Sequence, residues 1–269
     1  MVGAMRGRRW RVVVLALAAV YFLLPLLAAA EFSLRTPGGG YGLSNWLAIA
    51  RDPVLIAALL TSLQIAVVTA ALVLGLVVPT AVWVRLRLPG LAGALESATI
   101  LPIVIPPVVM AAGIAFVQAN LGGPVFRALF ASSTTALTPF YVVLALPFAY
   151  RAVDNGLAAI PLRTLVEAAR NLGATMATAL LRVVLPAIRS AVLGAAFLTL
   201  ALVLGEIVIA RILLYTDTFP VAIVEVGRST AGVAVALSLA SLLVTWVLLL
   251  AVSFAGGRRS SRSLSKGAS

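Results

Sequence analysis

Long stretches free of Asp, Glu, Lys and Arg dominate the chain. They cover Val12–Ala30, Pro53–Val84, Ser97–Phe126, Ala128–Tyr150, Ser190–Gly205 and Ser229–Gly257. Ile207–Ala210 carries the fifth run past the single charge of Glu206. A bilayer core of about 30 Å needs roughly 20 residues of helix. None of the runs alternates with the period of two that a barrel strand requires. The pattern therefore predicts an all-α polytopic membrane protein with six transmembrane helices, near 11–30, 53–84, 97–119, 135–150, 187–210 and 229–255. A single transmembrane domain, 1–269, holds all of them.

Composition agrees with this reading. Of 269 residues 62% are hydrophobic and 10% charged, and mean hydropathy is +1.15. Typical soluble domains carry about 25% charged residues, so most soluble enzymes and nucleic-acid modules are excluded. The chain has no Cys and no His. That removes disulfides, thiolate nucleophiles, histidine bases and His/Cys metal sites, and no cofactor is expected.

The net charge of +12 would suggest nucleic acid in a soluble chain, but here its position is what matters. With the N-terminus inside, fifteen of the basic residues fall in inner segments: Arg6–Arg11, Arg85 and Arg87, five between Arg151 and Arg189, and four after Gly257. Only Arg35, Arg51, Arg127, Arg211 and Arg228 fall outside, where five acids balance them. This is the positive-inside pattern. Both termini are expected in the cytoplasm, with the inner arginines on anionic headgroups and no nucleic-acid partner. Ala28-Ala29-Ala30 resembles a signal-peptidase site, yet the 19 residues of Val12–Ala30 exceed the usual signal core. An uncleaved first helix is the expectation.

Between the spans, Arg35-Thr-Pro-Gly-Gly-Gly40 reads as a turn, followed by a short interfacial helix at Asn45–Arg51 bearing Trp46. Gly122-Gly123-Pro124 reads as a second turn, and the tail after Gly256 is basic and Ser-rich. Pro102, Pro106 and Pro107 in the third span are either a tolerated kink or the shaping of a gate.

The inner loop 151–186 is the most informative segment. In Pro161–Leu172, Leu162, Leu165, Val166, Ala169 and Leu172 recur at helical spacing. Pro161 suits the start and Gly173 the C-terminal cap. Arg163, Glu167 and Arg170 share the other face at ion-pairing distances along a helix. A second helix is expected from near Thr175 to Pro186, giving a small helix–turn–helix.

Within this loop Glu167-Ala168-Ala169, three residues, Gly173, nine residues and then Val183-Val184-Leu185-Pro186 resemble the EAA signature of permease subunits in binding-protein-dependent ABC importers. That signature is E-A-A-x3-G-x9-I-x-L-P, and Val183 stands where Ile is usual. Thr61-Ser62-Leu63, Gly75, Ala81, Leu101-Pro102 and Pro106-Pro107 also look like that family's second and third spans. The resemblance implies the type I ABC importer permease fold, in the inner or plasma membrane of a prokaryote. Its cytoplasmic coupling helix would dock on a separate ATPase through Glu167, Ala168, Ala169, Gly173, Leu185 and Pro186. It also implies a second permease subunit, expected to be a different chain, and an extracytoplasmic substrate-binding protein. Leu204-Gly205-Glu206 and Thr218-Phe219-Pro220-Val221 look most like polyamine-type permeases; relatives for ferric iron, thiamine, phosphonate and sulfate stay open.

Polar residues in or near spans are the candidates for a substrate pathway: Glu206, Gln64, Gln118 and Asn120. For Glu206 the alternative is structural pairing with Arg211; for the amides it is an interhelical hydrogen bond. A self-contained secondary transporter or channel would carry more intramembrane charge or an inverted repeat. A membrane enzyme would lack its usual bases and nucleophiles. The chain holds no phosphate-binding G-x-x-x-x-G-K-[ST] loop, so it is not expected to be an enzyme, and ATP hydrolysis must come from another subunit.

The charge asymmetry makes a direct prediction. A single Cys at Thr164, clean in a Cys-free background, should resist an impermeant thiol reagent added outside intact cells. Labelling from outside would reverse the orientation.

Overall fold

A computed structural model describes residues 2–36, 38–120, 123 and 134–257. Gly122 and Pro124 of the second turn, Arg127 and the basic tail 258–269 lie outside the described residues. The described residues are helical, without a strand, and divide into two compact units. One comprises residues 1–56 and 223–244, the other 57–222 with 245–269.

In the first unit, α1 (Val2–Leu34) exposes every described apolar side chain from Trp10 to Leu27 to its surroundings. The turn after it closes with an antiparallel bridge between Arg35 and Tyr41. α2 (Ser44–Arg51) is the expected short helix. Its Asn45 is buried and donates through Nδ2 to the carbonyls of Ser33 and Arg35, each at 2.9 Å. Trp46 Nε1 donates to Ser33 Oγ at 3.2 Å. One amide thus satisfies the free carbonyls at the end of α1. α3 (Pro53–Arg87) starts on a proline, and Asp52 Oδ1 accepts from the Val54 amide at 2.9 Å.

In the second unit, α3 is followed by a 3-10 turn (Pro89–Leu91), α4 (Ala92–Val104) and α5 (Pro107–Asn120). A second 3-10 turn (Thr134–Leu137) leads into α6 (Thr138–Ala158). α7 (Leu162–Asn171) and α8 (Met176–Ala187) form a hairpin. α9 (Arg189–Gly205), α10 (Val208–Ile212) and α11 (Phe219–Ser229) follow, and α12 (Ala231–Gly257) ends the described chain.

Two apolar clusters stack along this unit. One joins Val73–Val82 of α3, Ala145–Leu157 of α6, Leu162 and Val166 of α7, Val184, and Ala195 of α9. The other joins Ile65 and Ala66 of α3, Ala111, Tyr141, Val203, Ile209 and Val221. α3 and α6 pass from the second cluster to the first while α9 passes the other way. The first two are therefore parallel and α9 runs antiparallel to both.

α6 and α9 make the most extensive helix pairing in the unit. Its tightest point is Gly156, where a Cβ would collide with the Cβ of Ala191. Close approach through small residues is how helices gain contact in lipid, where no hydrophobic force drives them together. Beside it, Arg85 Nε donates to Asp154 Oδ1 at 2.6 Å and Arg85 Nη2 to the Asp154 carbonyl at 3.2 Å, tying α3 to α6.

Several boundaries differ from the sequence reading. The third span is not one straight helix: α4 with its leading turn and α5 meet at 87°. Pro106 and Pro107 remove two successive N–H donors, and Ile105 before them is extended (φ −86°, ψ 117°). The fourth helix does not stop at Tyr150 but runs to Ala158, because Val153 and Leu157 continue its buried stripe. The fifth breaks at Glu206. By length and composition four helices can cross a membrane, or up to five if the bent pair counts as one span, where six runs were expected. The apolar stretch of α12 is described over Ala231–Val247.

Gly156→Leu should lower the unfolding midpoint in detergent, since overpacking costs about 1–3 kcal/mol. Gly194→Ala on α9, where a Cβ meets open space, should leave it unchanged or raise it. Equal midpoints for wild type and Gly156→Leu would remove the close contact.

Candidate functional site

The hairpin α7–α8 is built much as its sequence suggests. Leu162 and Val166 are buried and Leu165 half-buried, so one stripe of α7 packs onto α6. Gly173 adopts φ +85°. Its amide bonds the Arg170 carbonyl at 2.9 Å, and Ala174 bonds Ala169 at 3.0 Å. This is a Schellman cap, whose left-handed residue favours glycine. Thr175 then caps α8, its Oγ1 accepting from the Thr178 amide at 3.2 Å. Two helix ends are closed within four residues, so the turn has little freedom.

α8 contains a π-helical turn at Leu180–Val184, in which the Leu185 amide reaches back to the Leu180 carbonyl. Pro186 follows directly and has no N–H to offer the Arg182 carbonyl. The wider turn shifts the hydrogen-bond register just before that gap. Leu185 is half-buried and Pro186 exposed.

Glu167 and Ala168 are exposed and Ala169 half-buried. Leu172 departs from the expected apolar stripe: it is 89% exposed, because the helix ends at Asn171 and the cap turns its side chain away. The expected ion pairs of Glu167 with Arg163 and Arg170 do not form; among the described residues none of the three has a carboxylate or guanidinium partner. Exposed pairs on a helix contribute only a few tenths of a kcal/mol, ~0.3–0.5, too little to order long side chains. The hairpin thus presents Arg163, Glu167, Ala168, Arg170 and Leu172 unengaged.

At the other end of the same unit, Glu206 sits between α9 and α10. Its Oε1 accepts from the Val208 amide at 2.9 Å, and its Oε2 from Ile209 at 3.1 Å and from the Tyr141 hydroxyl at 3.3 Å. The carboxylate is a cap for the restarted helix and the partner of a buried phenol. Of the other pathway candidates, Gln64 is exposed on α3 and Gln118 half-buried on α5. Asn120 turns back on its own helix, with Nδ2 donating to the Phe116 carbonyl at 3.0 Å. These four residues lie on three different elements.

Sequence reasoning passed over several contacts here. Ser62 Oγ accepts from the Phe219 amide at 2.8 Å, bringing together two motif fragments 157 positions apart. Thr134 Oγ1 donates to Asp217 Oδ2 at 3.2 Å. Leu214 holds a left-handed conformation (φ 62°) and is 82% exposed. It occupies the same cap position after α10 that Gly173 occupies after α7, so no glycine marked it. A buried tyrosine in a span was the one available signal, since its hydroxyl must find a partner.

No protein-family model matches the chain, and no curated protein matches it.

The cap reading of Glu206 orders three variants. Glu206→Ala should lose about 1 kcal/mol of stability in line with other helix caps. Glu206→Gln keeps an acceptor oxygen and should lose less, and Tyr141→Phe about 0.6 kcal/mol, the mean for interhelical hydrogen bonds in membranes. Thermal unfolding with Gln as unstable as Ala would discard the cap.

Proposed function

We propose that the chain is a permease subunit of an ATP-driven ABC importer, forming with a second permease chain the route for a small hydrophilic solute delivered by an external binding protein. The observation that carries this reading is the hairpin at residues 162–187. Its EAA-spaced residues are held by a left-handed Gly173, and Glu167 and Ala168 face outward without partners in the chain. Its inner faces pack into the α3–α6–α9 cluster. A rigid turn anchored on two apolar helices transmits force from a docked subunit to the bundle, and a floppy one would not. The basic residues Arg85, Arg87, Arg151, Arg163, Arg170, Arg182 and Arg189 all lie on the segments of this end, which supports a cytoplasmic face. The hairpin then meets an ATPase at Glu167, Ala168 and Leu172.

The bend at Pro106 supports a pathway. Two backbone carbonyls of α4 lose their donors there, and in lipid such groups must face protein or water. The solute is assigned to the polyamine type on the Leu204-Gly205-Glu206 and Thr218–Val221 pattern alone. On this reading a carboxylate occupied in capping, as Glu206 is, shapes the route without gripping a cation.

The test is affinity purification from native membranes with ATP hydrolysis as readout. A nucleotide-binding subunit and ATPase activity should accompany the wild-type chain. Both should fall with Gly173→Val, which cannot hold φ +85° without strain, and with Glu167→Lys. Undiminished ATPase association in both variants, with normal insertion, would remove the assignment.

A further inference from the structure

We propose that α3 and α8 form a binding site for one anionic phospholipid, its phosphate between Arg87, Arg163 and Arg170 and one acyl chain along the groove beneath. The proposal rests on the membrane placement of α3 and not on the importer reading.

Two cavities define the site. The upper is a cleft of about 300 Å3 lined by Arg87, Arg163, Arg170 and Glu167, with Leu86, Val166 and Met176 as its apolar part. Three guanidiniums against one carboxylate leave an excess of positive charge. None of the three arginines has a carboxylate partner among the described residues. A phosphodiester supplies the missing anion, with oxygens that match the guanidinium fork.

The lower cavity is a groove of about 350 Å3 bounded by Leu74, Gly75, Val78 and Pro79 of α3 and by Leu180, Leu181 and Leu185 of α8. Its lining is almost wholly apolar. Val78 to Leu86 is eight residues, or about 12 Å along a helix. Leu86 lies eleven residues after Gly75, within about 20° of it around α3, so both cavities open on one face of that helix.

Depth fits the same occupant. Arg87 ends the 35-residue span, and Trp83 one turn earlier is 53% exposed. An exposed tryptophan next to terminal arginines marks the headgroup level. The cleft then lies among phosphates and the groove in hydrocarbon. A basic cleft over an apolar groove is what a headgroup with its chain requires. A soluble phosphate uses only the upper half. A lipid seated there braces α7 against the end of α3, so the anionic lipid content of the membrane sets how firmly the hairpin is held.

The experiment is native mass spectrometry of the full chain from mixed micelles of phosphatidylglycerol and phosphatidylcholine. Phosphatidylglycerol should be retained preferentially. Arg87→Gln, Arg163→Gln and Arg170→Gln should each weaken retention by about fivefold. Arg163→Lys, which keeps the charge, should preserve most of it. Gly75→Leu, at a site where a Cβ meets open space, should fill the groove and weaken retention with all arginines in place. Arg182→Gln, at an exposed arginine outside the cleft, should change nothing. An equal loss from Arg182→Gln would mean diffuse attraction and overturn the site. So would displacement of the lipid by millimolar inorganic phosphate with Gly75→Leu silent, which leaves an anion cleft without a lipid. A disulfide-linked dimer through Leu181→Cys that forms at the expense of bound lipid would give the groove to a second copy instead. If an arginine variant fails to elute folded, Gly75→Leu decides.

Discussion

Where Gly156 meets Ala191, α6 and α9 come closer than any larger side chain would permit. In water two apolar helices are pressed together by the solvent. In lipid that force is absent, and packing must supply the attraction atom by atom. The contact also sets everything around it. It fixes the angle at which α6 delivers the chain into the hairpin and at which α9 takes it back. Ile188, at the hairpin's exit, lies against the same glycine. Arg85 and Asp154 close the third side, with a charged pair placed at the end of the helices rather than in their middle, where it would be costly. The hairpin is positioned because the helices that carry it cannot slide.

The second unit pairs two kinds of order. Around the hairpin, apolar packing is dense and polar groups are turned outward. Around Tyr141, polar groups are turned inward and answered one by one: the phenol by Glu206, the Phe219 amide by Ser62, Thr134 by Asp217. Each answer repairs a break in a helix or the start of a new one. An interrupted backbone needs local donors and acceptors, and the side chains that interrupt the apolar runs supply them. Polar residues inside spans are therefore first of all the repair of the backbone, and any role toward a solute is added to that.

Much of this was legible in the residues. The period of three to four from Leu162 to Val166, ended by Gly173, specified α7 and its cap, because helix periodicity and a left-handed glycine are local properties. The short helix after the Gly-rich turn, and the start of α3 at Pro53, were legible for the same reason. The prolines announced an interruption in the third span but not its 87° size, which depends on what α4 and α5 pack against. Leu172 misled, since its spacing matched the stripe while the cap decided its direction. The pairing of Arg85 with Asp154, 69 positions away, and the approach of Gly156 to Ala191 left no local trace. Tertiary partners are chosen by the fold as a whole. Among the candidate site residues, the hairpin set was readable as a group; the pathway set was readable only as polar letters in apolar text.

The π turn at Leu180–Val184 has a consequence for how this segment tolerates changes in length. A π turn holds one residue more than the α turn it replaces. The stretch between Gly173 and Pro186 is thus one residue longer than a regular helix of the same rise would need. Deleting one residue there would restore an ordinary helix, and local hydrogen bonding would improve. Yet everything from Pro186 onward would turn by about 100° about the axis. Ala195, Thr199 and Val203, now buried on α9, would swing off the face that meets α6. The segment is therefore free in composition and fixed in count: most single replacements between Gly173 and Pro186 leave the bundle in register, and no single gap does.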